Sequence, residues 1–178
     1  MDHVASNGVA QQSAGAVRGK EATVGNIDAA LALASQLQST FGPRGRDKLF
    51  MDAEGRITVT NDGATILQLL KPGHPVAQMM VQVGAAMDAQ VGDGTTTVTL
   101  LCAALLRHAK RLFELGFATN VIAKGYRMAL AQVEKQLDKG HMVFSKGDWK
   151  TLHHLVSVPL YSKILSHERD FFADLVIS

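Results

Sequence analysis

The chain has 178 residues, 47% of them hydrophobic and 19% charged, with one cysteine. That size suits one domain with a core of its own, and the apolar fraction excludes a wholly disordered protein. A net charge of +2, from 18 basic against 16 acidic side chains, gives no support to nucleic-acid binding through bulk charge; the apolar runs fall short of the ~20 residues a membrane span needs, and Cys102 alone makes no internal disulfide.

Met1 to Glu21 is rich in Ala, Ser, Gly, Gln and Val. No basic start precedes an apolar block, so no secretory signal is expected, and residues 1–24 read as a disordered tail. From Asn26, a candidate cap, the apolar residues Ile27, Ala30, Leu31, Ala34, Leu37 and Phe41 recur at helical spacing. Gly42-Pro43 stops that helix. Leu49 and Met51, then Ile57 and Val59, alternate as two short strands joined by the turn Asp52-Ala53-Glu54-Gly55.

Asn61-Asp62-Gly63 breaks the second strand and can cap a short helix through Leu70. Pro75 suits the first position of the next helix, whose stripe is Val76, Met79, Met80, Val83 and Met87. A long helix follows Gly94, with Val98, Leu101, Cys102, Leu105, Leu112 and Phe113 expected inward and Gly116 at its end. Thr119 is the expected cap of another helix, which carries Ile122, Tyr126, Ala129, Val133 and Leu137 on one side and ends at Gly140. Asp148 caps a short helix through Val156, and Pro159 is expected to break it. A last helical segment covers about Ser166 to Ser178. The fold class is mainly α: a helical bundle with a small β-hairpin.

The stretch that carries chemistry is Gly92-Asp93-Gly94-Thr95-Thr96-Thr97. Two glycines flanking an aspartate allow a tight backbone path and close approach of a ligand. Threonines in a first helical turn combine hydroxyls, unpaired N–H groups and the positive end of the helix dipole, which together suit an anion. Asp93 fits such a site if Mg²⁺ bridges it to phosphate. The same residues also suit a capped helix start with an Asx turn. No P-loop is present, because Gly15-Ala16-Val17-Arg18-Gly19-Lys20 is one residue short and Glu21 follows it. No Gly-x-Gly-x-x-Gly segment follows a strand, so a Rossmann site is not indicated. His153 and His154 are adjacent and point to different helix faces, a poor metal pair.

Several segments together resemble the nucleotide-binding motifs of group II chaperonins, the archaeal and eukaryotic cytosolic branch. They are Gly42-Pro43-Arg44-Gly45, Thr60-Asn61-Asp62-Gly63-Ala64-Thr65-Ile66-Leu67, His74-Pro75, Val91 to Thr97, Gly125-Tyr126-Arg127-Met128-Ala129-Leu130, Ser162-Lys163 and Phe171-Phe172-Ala173. Their order and spacing resemble the N-terminal half of a chaperonin equatorial domain over residues 25–178, leaning among eukaryotic subunits toward the eta type. The chain departs from the family pattern at Val158-Pro159-Leu160-Tyr161, where small residues are usual, and at Arg46, where many relatives carry Met.

The resemblance implies ATP or ADP with Mg²⁺ as cofactors. It implies that Gly42 and Pro43 turn the backbone against the nucleotide and that Asp93 holds the metal. Gly94, Thr95, Thr96 and Thr97 would wrap the phosphates, Asp62 would orient water as the catalytic carboxylate, and Lys163 would sense the terminal phosphate. It further implies a cytoplasmic ring with other chaperonin subunits as partners and unfolded proteins as clients, with no nucleic acid and no membrane. The family's intermediate and apical domains and its second catalytic carboxylate lie outside these residues. The expectation is therefore a partial equatorial domain that binds nucleotide, with little or no turnover by itself.

Overall fold

The structure, a computed structural model, describes residues 19–42, 44–141, 143, 145, 147–161 and 167–178. Seven helices and one two-stranded sheet are found among the described residues. In chain order they are α1 (Lys20–Gln38), β1 (Lys48–Met51), β2 (Ile57–Thr60), α2 (Gly63–Leu70), α3 (Pro75–Val91), α4 (Thr95–Glu114), α5 (Thr119–Gly140), α6 (Trp149–Leu160) and α7 (Arg169–Ile177). The mainly helical architecture with a small hairpin is as expected.

Helices α1 to α4 form the packed body. Ala30, Leu33, Ala34 and Leu37 of α1 meet Ile66 and Leu67 of α2, Ala77 and Met80 of α3, and Ala103 of α4. Leu37, Ile66, Leu67 and Thr99 are the largest side chains fully removed from solvent. Small residues mark the helix crossings. At Gly84 of α3 an added Cβ would lie 2.5 Å from Leu67 Cδ1, so α2 and α3 approach as closely as they do because no side chain stands between them. Thr99 is tolerated in the core because its hydroxyl donates to the Thr95 carbonyl one turn back, at 2.9 Å.

The hairpin is antiparallel, with Leu49 opposite Val59 and Met51 opposite Ile57. Phe50, on the other face, packs onto the helical core. Its turn is held by Asp52, which accepts from the backbone amides of Glu54 and Arg56 and from the Arg56 guanidinium. β2 leads directly into α2. There Asp62 is the N-cap, accepting from the Thr65 amide at 3.0 Å and the Thr65 hydroxyl at 2.9 Å.

Several boundaries differ from the sequence expectation. α1 begins at Lys20, so Asn26 is an exposed mid-helix residue and residues 20–24 belong to the helix; Glu21 in the first turn suits that earlier start. The tail expectation for residues 1–18 lies outside the described residues. α5 is preceded by Ala118 as N-cap, which places Thr119 at the first helical position without a side-chain cap. α6 runs through Pro159 to Leu160. Proline costs one backbone bond there, and the helix ends one residue later, with the Tyr161 amide donating to the Val158 carbonyl. Asp148 does cap α6, through the amide and hydroxyl of Thr151. Those two bonds hold its carboxyl below the ordinary range. With the folded value depressed, the cap is fully present above the ordinary carboxylate range and is lost as pH falls through the folded value.

The expected inward stripes were also partly rotated. Ala77, Met80 and Gly84 are the buried residues of α3, while Met79 and Val83 are exposed. In α4 the buried residues are Thr95, Thr99 and Ala103, and Leu101 and Leu105 are exposed. α5 has no buried residue; it leans on α4, where the Tyr126 hydroxyl donates to the Leu105 carbonyl at 2.7 Å. α6 and α7 pack on each other around Ala173, with His153 Nε2 at 3.4 Å from Asp174 Oδ1.

Two segments far apart in sequence approach closely at Gly63. A Cβ there would strike the Thr96 hydroxyl, lie 2.8 Å from the Thr95 hydroxyl and 3.0 Å from the Thr96 backbone nitrogen. The N-termini of α2 and α4 are thereby held side by side. Gly63→Ala is expected to force them apart at a cost of about 1–3 kcal/mol, the usual range for overpacking. Val133→Ala, on the exposed side of α5, is expected to change stability by less than about 0.5 kcal/mol. Paired thermal or urea melts check this, and a Gly63→Ala midpoint equal to wild type would contradict the close approach.

Candidate nucleotide site

The paired N-termini of α2 and α4 form one wall of a cavity of about 480 Å³. Its lining comes from four places in the sequence. The loop after α1 supplies Thr40, Phe41, Gly42 and Gly45; the β2–α2 junction supplies Asn61, Asp62 and Gly63; the α3–α4 junction supplies Asp93, Gly94, Thr95, Thr96 and Thr97; and the end of α6 supplies Val158 and Tyr161.

Each loop has a physical reason for its shape. After α1 the Thr40 hydroxyl donates back to the Leu37 carbonyl at 2.8 Å, terminating the helix before Gly42. The chain then folds on itself: the Gly45 amide donates to the Gly42 carbonyl at 2.9 Å and the Arg46 amide to the Ser39 carbonyl at 2.8 Å. Gly42 has φ 86, a left-handed conformation that glycine adopts without strain. A Cβ at Gly45 would collide with the Thr40 carbonyl. The backbone can turn this tightly only because both positions lack a side chain.

The α3–α4 junction uses the same device twice. Gly92 at φ 75 ends α3, and Gly94 at φ 82 begins α4. No side chain caps α4. The first backbone bond of the helix runs from the Val98 amide to the Gly94 carbonyl. The amides of Thr95, Thr96 and Thr97 precede it, in the part of a helix that has no intrahelical partner. A capped start with an Asx turn, open from the sequence, is therefore not what forms here. Thr95 is buried, Thr96 half-buried and Thr97 exposed, while Asp93 is exposed beside them.

The cavity therefore gathers oriented N–H groups, threonine hydroxyls and the positive end of a 20-residue helix, with carboxylates Asp62 and Asp93 on its lining. A bare anion would meet repulsion from the carboxylates. A polyphosphate carrying Mg²⁺ would not, because that ion typically takes one or two carboxylates together with phosphate oxygens. Among the described residues no cluster of three or more His, Cys, Asp and Glu forms a protein-only metal cage. The two lining carboxylates, set among amides and hydroxyls, fit an ion that is also held by phosphate oxygens.

Of the residues expected from the sequence, Gly42, Asp62, Asp93, Gly94, Thr95, Thr96 and Thr97 line the one cavity. Pro43 and Lys163 lie outside the described residues. Thr40, Phe41, Gly45, Asn61, Gly63, Val158 and Tyr161 are lining residues beyond the expected set. Gly45, Asn61 and Gly63 stood within the motif segments themselves. Val158 and Tyr161 stood where the chain departs from the family pattern, which was their only signal. Cys102 is half-buried against the core, where burial pushes its thiol up.

A second cavity of about 350 Å³ lies between α1, α4 and α5. Ile27, Leu106, Phe113, Ile122 and Tyr126 line it, and it brings no acid–base cluster together. No helix among the described residues is long and apolar enough to cross a membrane.

Comparison with known proteins bears on the same segments. The chain is 41% identical over 160 residues to thermosome subunit alpha of Thermoplasma acidophilum, covering 90% of this chain and 29% of that relative. It is 39% identical over 159 residues to thermosome subunit beta of Desulfurococcus mucosus, covering 89% of this chain and 32% of the relative. It is also 39% identical over 158 residues to human T-complex protein 1 subunit eta, covering 86% of this chain and 29% of the relative. The chain thus spans about a third or less of the length of these curated relatives. The family model described as TCP-1/cpn60 chaperonin family matches residues 33–178. With all three cavity-forming junctions of the α1–α4 body inside that match, the chain belongs to the TCP-1/cpn60 chaperonin family.

Proposed function

We propose that residues 25–178 are the N-terminal part of an ATP-binding equatorial domain of the group II branch, and that the 480 Å³ cavity is its Mg-nucleotide site. The observation that carries this is the meeting of three sequence-distant junctions around the uncapped N-terminus of α4. In this reading Gly94, Thr95, Thr96 and Thr97 receive the phosphates on backbone amides and hydroxyls. Gly42 and Pro43 shape the wall against the rest of the nucleotide. Asp93 is the residue that would hold Mg²⁺, and the ion's contribution when bound is neutralisation of phosphate charge.

Asp62 is the candidate for orienting an attacking water, which is the protein's main task in phosphoryl transfer beyond positioning and charge. Its cap to Thr65 fixes the side chain at the cavity lining, so the structural and the catalytic role are served by one geometry. Lys163 is proposed as the terminal-phosphate sensor on the resemblance alone. Among eukaryotic subunit types we propose a leaning toward eta, with 39% identity to human subunit eta beside similar identity to the archaeal alpha and beta subunits. The proposed setting is a cytoplasmic ring with other chaperonin subunits, acting on unfolded proteins.

For the 178 residues taken by themselves we propose nucleotide binding without appreciable turnover. Among the described lining residues the carboxylates are Asp62 and Asp93; in this reading Asp93 is committed to the metal and Asp62 to orienting water, with no further carboxylate among them to share that task. Isothermal titration is expected to show weak Mg-ATP binding that Asp93→Ala reduces about tenfold or more, in line with loss of a metal ligand contact. Equal binding by both proteins would refute the phosphate-site assignment. In a steady-state assay, phosphate release is expected to stay at background; Mg-dependent turnover that Asp62→Asn abolishes would refute the binding-only reading.

A further inference from the structure

The α6–α7 pair contributes Val158 and Tyr161 to the lining of the proposed nucleotide cavity. Tyr161 is held there by independent constraints. It is the C-cap of α6, and its amide donates to the Val158 carbonyl at 3.2 Å. Pro159 restricts the backbone two residues before it. The Arg169 guanidinium of α7 lies over its ring, with Cζ 4.7 Å from the centroid. An aromatic side chain at a helix end that is 63% exposed would otherwise sample several rotamers in water. Here a cation on the ring favours one arrangement.

The polar groups that suit a polyphosphate sit on the α2 and α4 side, and in water their attraction for it is weakened by solvent. The Tyr161 side chain, on the α6 part of the lining, offers apolar contact to a ligand seated in the cavity. We propose that Tyr161 is a retention residue for a bound nucleoside polyphosphate, with Arg169 as its positioning residue, an inference that rests on the Mg-nucleotide reading of the cavity. Tyr161 governs how slowly nucleotide leaves, while the α4 N-terminus and Asp93 govern whether it binds. Arg169 acts through the ring, and its own ion-pair neighbour is Asp170, Nε to Oδ1 at 3.4 Å.

The test is the dissociation rate of a fluorescent N-methylanthraniloyl-ADP from the full chain in Mg²⁺, chased with excess ATP in a stopped-flow instrument. Tyr161→Ser is expected to release the probe roughly five- to tenfold faster, the scale of one lost aromatic contact. Arg169→Gln is expected to fall between that variant and wild type. Tyr161→Phe and Arg169→Lys, which keep the ring and the cation, are expected to restore slow release, a rescue that general destabilisation would not produce. Nucleotide-free melts accompany each variant, and should Tyr161→Ser not fold, Arg169→Gln is judged by the same criterion. Release unchanged or slower in Tyr161→Ser, with Asp93→Ala still weakening binding, overturns the retention role and leaves the nucleotide site standing. A wild-type chain that does not bind the probe overturns both.

Discussion

At Gly63 the start of α2 meets the start of α4 so closely that a single methyl group would collide with Thr96 and crowd Thr95. Much of the site geometry follows from that contact. It sets the N-terminus of α4, with its row of backbone amides, beside the Asp62 cap of α2. It also fixes how the hairpin enters the body, since β2 runs directly into Asn61 and Asp62. Glycine at this position is a packing requirement, not a conformational one. Its neighbours Gly42, Gly92 and Gly94 are conformational requirements, each at positive φ.

The helical body is organised around the same principle of close approach. Its centre is built from alanines, a glycine and a threonine at the crossings, with Leu33, Leu37, Ile66, Leu67 and Met80 filling the space between. Many of the larger apolar side chains lie outside it. Leu49, Met51, Ile57 and Val59 share one exposed face of the hairpin, and Val133 and Leu137 are exposed on α5. The high apolar fraction is therefore divided between a compact core of small and medium residues and several exposed apolar faces, which accords with a chain spanning about a third or less of its relatives' length.

Much of this was legible in the residues. The hairpin register followed from alternation about Asp52 to Gly55, and the caps at Asp62 and Asp148 and the proline start of α3 followed from local chemistry. Local rules failed where tertiary packing decides. Apolar periodicity pointed to Met79, Val83, Leu101 and Leu105, but close helix crossings selected Ala77, Gly84, Thr99 and Ala103 instead. Pro159 looked like a helix breaker, yet a helix that ends one residue later loses little by including it. On the cavity lining, Gly42 and Gly94 were readable from the backbone they need and Asp62 from its cap, while Asp93 and Thr95 to Thr97 came with the glycine turn that they flank. Tyr161 was not, because its place on the cavity depends on how α6 and α7 pack.

The central claim is that three loops far apart in sequence respond to one ligand together. Backbone hydrogen exchange, read by NMR with and without saturating Mg-ADP, addresses it directly, because local opening is slowed wherever a ligand engages the amide. The account predicts protection at Phe41 and Gly42, at Asp62 and Gly63, and at Gly94 to Thr97, all titrating with the same midpoint. Protection confined to one loop, different midpoints for the three, or no change at all would contradict it.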